Sequence, residues 1–128
     1  MIMAKKIIPN PGALPFSKAI VYDSKYVMEL SGQVGLNPET GKLAEGIEEQ
    51  TKATLENIKD VLKEVSWNLS NIVKVRIFLA DMKDYAKVNE IYSKYFTKDY
   101  PARVALAVKD LPLGALIEIE CTAVGDSA

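Results

Sequence analysis

The chain has 128 residues, 48% hydrophobic and 26% charged, with 16 basic side chains against 17 acidic ones, one cysteine and no histidine. That length fits a single domain over residues 1–128 with an ordinary core, and the near-cancelling charge removes the broad positive field on which nucleic-acid binders rely. A lone cysteine forms no internal disulfide, and without histidine Ser-His and Cys-His catalysis and the commonest metal ligand are excluded.

The segment from Met1 to Lys6 leads into a strand-like stretch without the apolar run of a signal peptide, and no stretch is apolar enough to span a bilayer. A soluble, cytoplasmic protein is expected. Pro9 to Pro15, with prolines at 9, 11 and 15 and Gly12, reads as a rigid connector after which regular structure begins. Ala19–Tyr22 and Tyr26–Ser31 are β-rich and separated by Asp23-Ser24-Lys25, which reads as a hairpin. Asn37-Pro38-Glu39-Thr40-Gly41 is a turn. From Ile47, the residues Thr51, Thr54, Leu55, Ile58, Val61, Leu62 and Val65 recur at helical spacing, opposite Glu48, Lys52, Glu56, Lys59 and Lys63. Asn71 to Leu79 alternates, with Val73, Val75, Ile77 and Leu79 against Ile72, Lys74, Arg76 and Phe78. Asp84 is a candidate N-cap for a second helix striped with Tyr85, Val88, Tyr92 and Tyr95 or Phe96, ending before Pro101. Ala102–Val108 and Leu116–Val124 complete a β-β-α-β-α-β-β order.

That order predicts an α/β (α+β) fold with one mixed sheet, and two helices can cover only one face of it. Ala102–Val108 is apolar on both sides apart from Arg103, as in strands buried on both faces. The uncovered face is therefore expected to pack against other copies of the chain in a closed homo-oligomer with clefts at its boundaries.

Charged residues inside such strands mark candidate sites, because desolvating a guanidinium or carboxylate costs several kcal/mol. Arg103 shares its face with Ala105 and Ala107, which leave room for a small anion, and its rigid donor fork matches a carboxylate or phosphate. The alternative is an ion pair with Glu118 or Glu120 across the sheet. Glu120 shares a face with Glu118, so at least one of them should meet a cation or a wet cavity; for either alone, a solvated or interface carboxylate is the plainer reading. Asn89 lies near an apolar stripe, where its amide either ties the helix to a loop or meets a ligand. Ser31-Gly32-Gln33 could offer a backbone N–H to a ligand or simply form a bulge. Phe16 either lines a pocket or covers core, and Cys121, alternating with Ile117, Ile119 and Ala123, reads as a core residue.

Taken together, Ser31-Gly32-Gln33, Val88-Asn89-Glu90-Ile91-Tyr92, Pro101-Ala102-Arg103 and Ile117-Glu118-Ile119-Glu120 resemble the YjgF/RidA family of 2-iminobutanoate/2-iminopropanoate deaminases. Asn37–Gly41 and Ala53–Ile58 extend the likeness over nearly the whole chain. The resemblance implies a chorismate-mutase-like mixed sheet with two helices on one face, a homotrimer with clefts between subunits, and no metal or organic cofactor. Family members hydrolyse reactive enamines and imines, released by pyridoxal-phosphate enzymes such as threonine dehydratase, to 2-oxo acids and ammonia, a form of metabolite damage control. By this likeness Arg103 grips the substrate carboxylate and Glu120 positions and activates water, while Phe16, Ser31, Gly32, Asn89 and Ala105 shape the pocket. Two positions depart from the family pattern. Ala105 stands where cysteine is frequent and keeps only that residue's backbone carbonyl, and Phe16 stands where tyrosine is frequent and offers no phenolic hydrogen bond.

The resemblance also carries competing expectations. The family has been associated with endoribonuclease activity and inhibition of translation, which here would need a basic track and an acid-base pair without histidine. A third expectation is a noncatalytic, chaperone-like trimer in which Arg103 binds small carboxylates without turnover.

Overall fold

Alternation of buried and half-buried residues is cleanest in the strand Ile72–Leu79, and this strand lies inside the sheet that organises the molecule. The computed structural model describes residues 4–128; the first part of the leader segment read above, Met1–Met3, lies outside them. In chain order the elements are β1 (Ala4–Pro9), β2 (Ser17–Asp23), β3 (Tyr26–Val34), α1 (Gly46–Lys63), β4 (Ile72–Leu79), α2 (Tyr85–Tyr95), β5 (Ala102–Ala107) and β6 (Ile117–Gly125). They form one six-stranded mixed sheet in the order β1-β2-β5-β4-β6-β3. β5 runs parallel to β2 and β4, and the other neighbours are antiparallel.

The expected mixed sheet with two helices on one face is the fold observed. Val75, Ile77 and Leu79 of β4 and Ile117, Ile119, Cys121 and Ala123 of β6 are buried beneath the helices, and α1 closes over them with Thr51, Thr54, Leu55, Ile58 and Leu62. Each fully buried leucine or isoleucine here stabilises the fold by about 1.5–3 kcal/mol. Gly35 lets α1 lie directly on the end of β3, since a Cβ there would stand 2.7 Å from the Gln50 carbonyl oxygen. The Gln50 side chain then accepts a hydrogen bond from the Leu116 backbone N–H at 2.9 Å, fixing the start of β6.

Three local expectations are corrected. First, Ala4–Pro9 is a strand, paired antiparallel with β2, so regular structure begins ahead of the proline-rich connector. Its lysines and terminal proline are tolerated because it is an edge strand. Second, β2 and β3 do not form a hairpin. β2 pairs with β1 and joins the β5 ladder only at Ser17–Ala102, whereas β3 pairs along β6 at the far edge. Four strand spacings in a flat sheet cover about 19 Å, yet the three Cα steps from Asp23 to Tyr26 reach about 11 Å at most, so the sheet must curl. The connector is held instead by β6, through Ser24 Oγ donating to the Gly125 carbonyl at 2.9 Å and the Lys25 N–H donating to Asp126 at 3.2 Å. Third, the Asp84 side chain makes no cap. Asp81 accepts the Lys83 N–H at 2.8 Å and caps the short 3-10 turn that leads into α2.

On the opposite face of the sheet no helix packs among the described residues. Lys74, Arg76 and Phe78 of β4, Val104 and Leu106 of β5, and Glu118 and Glu120 of β6 emerge there by register. Val104 and Leu106 are each 39% exposed and Val21 is 60% exposed.

Candidate active site

Arg103 pairs in register with Val75, so its side chain points to the helix side of the sheet and meets α2. There the guanidinium carbon lies 5.2 Å from the ring centre of Phe16, 5.8 Å from that of Tyr85 and 4.9 Å from that of Tyr92. Rings at such distances attract a cation and replace part of its lost hydration. Nη2 donates to the Tyr85 hydroxyl at 3.2 Å, whereas Nη1 is buried without a hydrogen-bond partner. Tyr85, Asn89 and Tyr92 fall at i, i+4 and i+7 and so share one face of α2.

Two further polar atoms on that face, Asn89 Oδ1 and the Tyr92 hydroxyl, are also buried and unpartnered. Burial raises the Tyr92 hydroxyl far above the ordinary tyrosine range, opposed by Arg103 and reinforced by Cys121, so the phenol stays neutral. Unpaired buried donors and acceptors of this kind cost about 1–3 kcal/mol each. Gathered on the helix face that meets Arg103, such atoms can bond a polar ligand. Ala105 follows on the same face beside Ile77 and packs against the core. Phe16 also lines a cavity of about 340 Å³ with Pro9, Leu14, Ser17 and Tyr100.

A second cluster lies on the uncovered face. Leu30 pairs with Cys121 and Gln33 with Ile119, leaving Ser31 and Gly32 together opposite Glu120, which is a bulge. Glu120 sits across from Arg76, whose Nε lies 3.6 Å from Glu120 Oε1. Arg76 Nη1 donates to Thr122 Oγ1 at 3.5 Å, and Thr122 donates in turn to Glu29 at 2.6 Å. Glu29, Leu30, Ser31, Arg76 and Glu120 line a cleft of about 430 Å³. Gly32 has a steric reason: a Cβ there would collide with the Glu118 carboxylate, which lies over the bulge.

The expected site residues thus fall into two groups. Phe16, Asn89, Arg103 and Ala105 belong to the helix side, and Ser31, Gly32 and Glu120 to the uncovered side. This corrects the alternative of an Arg103 ion pair with Glu118 or Glu120: these residues point to opposite faces, and Arg76 is the cation that meets Glu120. Cys121 is core as expected, and burial, with Glu120 adding and Arg76 opposing, pushes its thiol up to about 12. Tyr85, Tyr92, Arg76, Thr122 and Glu29 were not legible as site residues. The aromatic pair looked like core stripe; the one available signal was that Asn89 falls between two phenols at helical spacing. Among the described residues, no group of three or more His, Cys, Asp or Glu side chains could hold a metal ion, and no helix is long and apolar enough to cross a membrane.

A family model described as Endoribonuclease L-PSP matches residues 9–125. The chain belongs to this family. Within it, the chain is 44% identical over 127 residues to a RutC family protein of Pyrococcus abyssi, covering 94% of this chain and 98% of the relative. It is 41% identical over 116 residues to the 2-iminobutanoate/2-iminopropanoate deaminase of Homo sapiens, covering 89% of this chain and 83% of the relative. Among solved structures it is similar to E. coli TdcF with bound serine, at TM-score 0.73 and 32% identity over 93% of this chain and 98% of that one. These family members span nearly the same length as this chain, so both clusters lie within the matched region.

Proposed function

We propose that this protein hydrolyses small 2-imino acids, 2-iminobutanoate and 2-iminopropanoate, to the 2-oxo acids and ammonia. The observation that carries the reading is the Arg103 guanidinium, held among three aromatic rings with Nη1 unpartnered. A planar fork with free donors fits a substrate carboxylate in two parallel bonds. The names of the human, bovine and mouse relatives, all 2-iminobutanoate/2-iminopropanoate deaminases, support the same chemistry.

The reaction needs little beyond orientation and one activated water. Arg103 holds the carboxylate end, and Asn89 and Tyr92 offer polar atoms alongside. Glu120 accepts a proton as water adds to the C=N carbon of the protonated imine, giving a carbinolamine. It gives that proton to the amine and takes the one on the carbinolamine hydroxyl as the C–N bond breaks and C=O forms, releasing ammonia and leaving the 2-oxo acid, and then passes the proton to solvent. The Ser31-Gly32 bulge stands opposite Glu120, and Ser31 lines the cleft on that side. Because Arg103 and Glu120 project from opposite faces of one sheet, one copy of the chain supplies the grip and a neighbouring copy the carboxylate. A homotrimer with three clefts meets that requirement, and the exposed Val21, Val104 and Leu106 supply an apolar surface for assembly.

The test generates the imines in situ with an amino-acid oxidase and traps them with semicarbazide. The intact protein should lower semicarbazone formation, Arg103→Ala should not, and Glu120→Gln should reduce the rate by about 10²–10⁴-fold while still binding 2-oxobutanoate. Unchanged trapping by the intact protein, with 2-oxobutanoate still bound, would replace the deaminase with a carboxylate-binding module.

A further inference from the structure

We propose that Tyr85 is a positioning residue that sets the in-plane orientation of the Arg103 guanidinium and thereby the affinity for the substrate carboxylate. The inference rests on the reading of Arg103 as the carboxylate site. Three aromatic residues surround this guanidinium, and they are not equivalent. Phe16 contributes a ring face only. Tyr92 lies nearest, yet its hydroxyl is buried without a partner and therefore does not bond to Arg103. Tyr85 contributes a ring at 5.8 Å and also a hydroxyl that accepts from Nη2 at 3.2 Å.

That single bond has a geometric consequence. Cation-π attraction from three rings holds the guanidinium in place but scarcely restrains rotation within its own plane, because the charge is delocalised. A hydrogen bond to one Nη2 hydrogen removes this freedom. It leaves the other Nη2 hydrogen and both Nη1 hydrogens for a carboxylate, matching the unpartnered state of Nη1. Tyr85 is the first residue of α2, and the Asp81-capped turn immediately before it fixes where its ring enters the site. The phenol that Phe16 lacks at one side of the guanidinium is thus present at another.

Tyr85→Phe keeps the ring over the guanidinium and removes only the acceptor. Initial rates of imine hydrolysis at varied imine concentration should show KM raised about three- to tenfold, the worth of one such hydrogen bond, with kcat changed less than twofold. The Kd of 2-oxobutanoate, measured by NMR titration, should rise by the same factor. Arg103→Lys, which abolishes the fork, should raise KM on its own, and adding Tyr85→Phe to it should change kcat/KM less than twofold, because the two residues act as a unit. An unchanged KM in Tyr85→Phe beside a raised KM in Arg103→Lys overturns the positioning role and leaves the carboxylate site standing. An equal loss from Tyr85→Phe on both backgrounds also overturns it, since Tyr85 would then act without Arg103. If Arg103→Lys leaves KM and Kd unchanged, the carboxylate site itself fails.

Discussion

Replacing Tyr92 with phenylalanine removes one oxygen from one of the most buried side chains in the protein, and the folded state should become more stable. The ring is fully buried, stacked on Phe96 with centres 4.4 Å apart and planes 21° from parallel, and it lies under the Arg103 guanidinium. None of those contacts depends on the hydroxyl. The hydroxyl itself is buried without a partner, so folding strips its water and returns no bond. Such a group costs about 1–3 kcal/mol, and loss of one oxygen's packing recovers less than 1 kcal/mol of that. A net gain of about 1–2 kcal/mol follows, which for a chain of this length raises Tm by about 3–8 °C. Thermal and urea unfolding of both proteins at equal concentration measures it, because assembly makes apparent stability concentration-dependent. A loss of 1 kcal/mol or more would refute the reasoning, for it would mean that the hydroxyl is bonded in the folded protein. Carboxylate affinity should fall in the same variant if the hydroxyl meets the ligand, giving a gain in stability against a loss in function.

Two other outcomes follow from the same coordinates. The Cys121 thiol is raised to about 12 from an ordinary 9.0, so its neutral form favours the folded state fully below about pH 9, and this contribution is lost as pH climbs toward 12. Urea midpoints should therefore fall across that interval, and fall less steeply in Cys121→Ala. Val104→Asp places a carboxylate on the exposed apolar strip of β5, where assembly would have to bury it unpaired. Light scattering should report monomers and imine hydrolysis should vanish with them; a stable, active oligomer would sink the docking of copies through this face.

The uncovered face and both helices were readable in the sequence because they are written in local periodicity: Ile72–Leu79 alternates, and α1 repeats at helical spacing with its charges on one side. The pairings of β1 and β2 were not, because a short edge strand and a curled sheet depend on partners distant in the chain. Arg103 and Glu120 stood out as charges in apolar strands. Their separation onto opposite faces was hidden, since it turns on the register between β5, β4 and β6 and not on either strand alone. Arg76 was placed on its face correctly, but no local pattern announces that residue 76 stands across from residue 120. Tyr85 and Tyr92 were hidden for a different reason: an aromatic stripe on a helix has the same spacing whether it fills a core or wraps a cation.

The sheet between Arg103 and Glu120 also acts as a partition. Neighbouring positions along a strand face different sides, so within one copy a substitution that reshapes the surroundings of Arg103 leaves those of the same copy's Glu120 almost untouched, and the reverse holds as well. In the proposed assembly the two groups then meet only across the boundary between copies, each carried by its own face of the sheet. Ala105 and Phe16, both on the guanidinium side, are variations of that insulated kind.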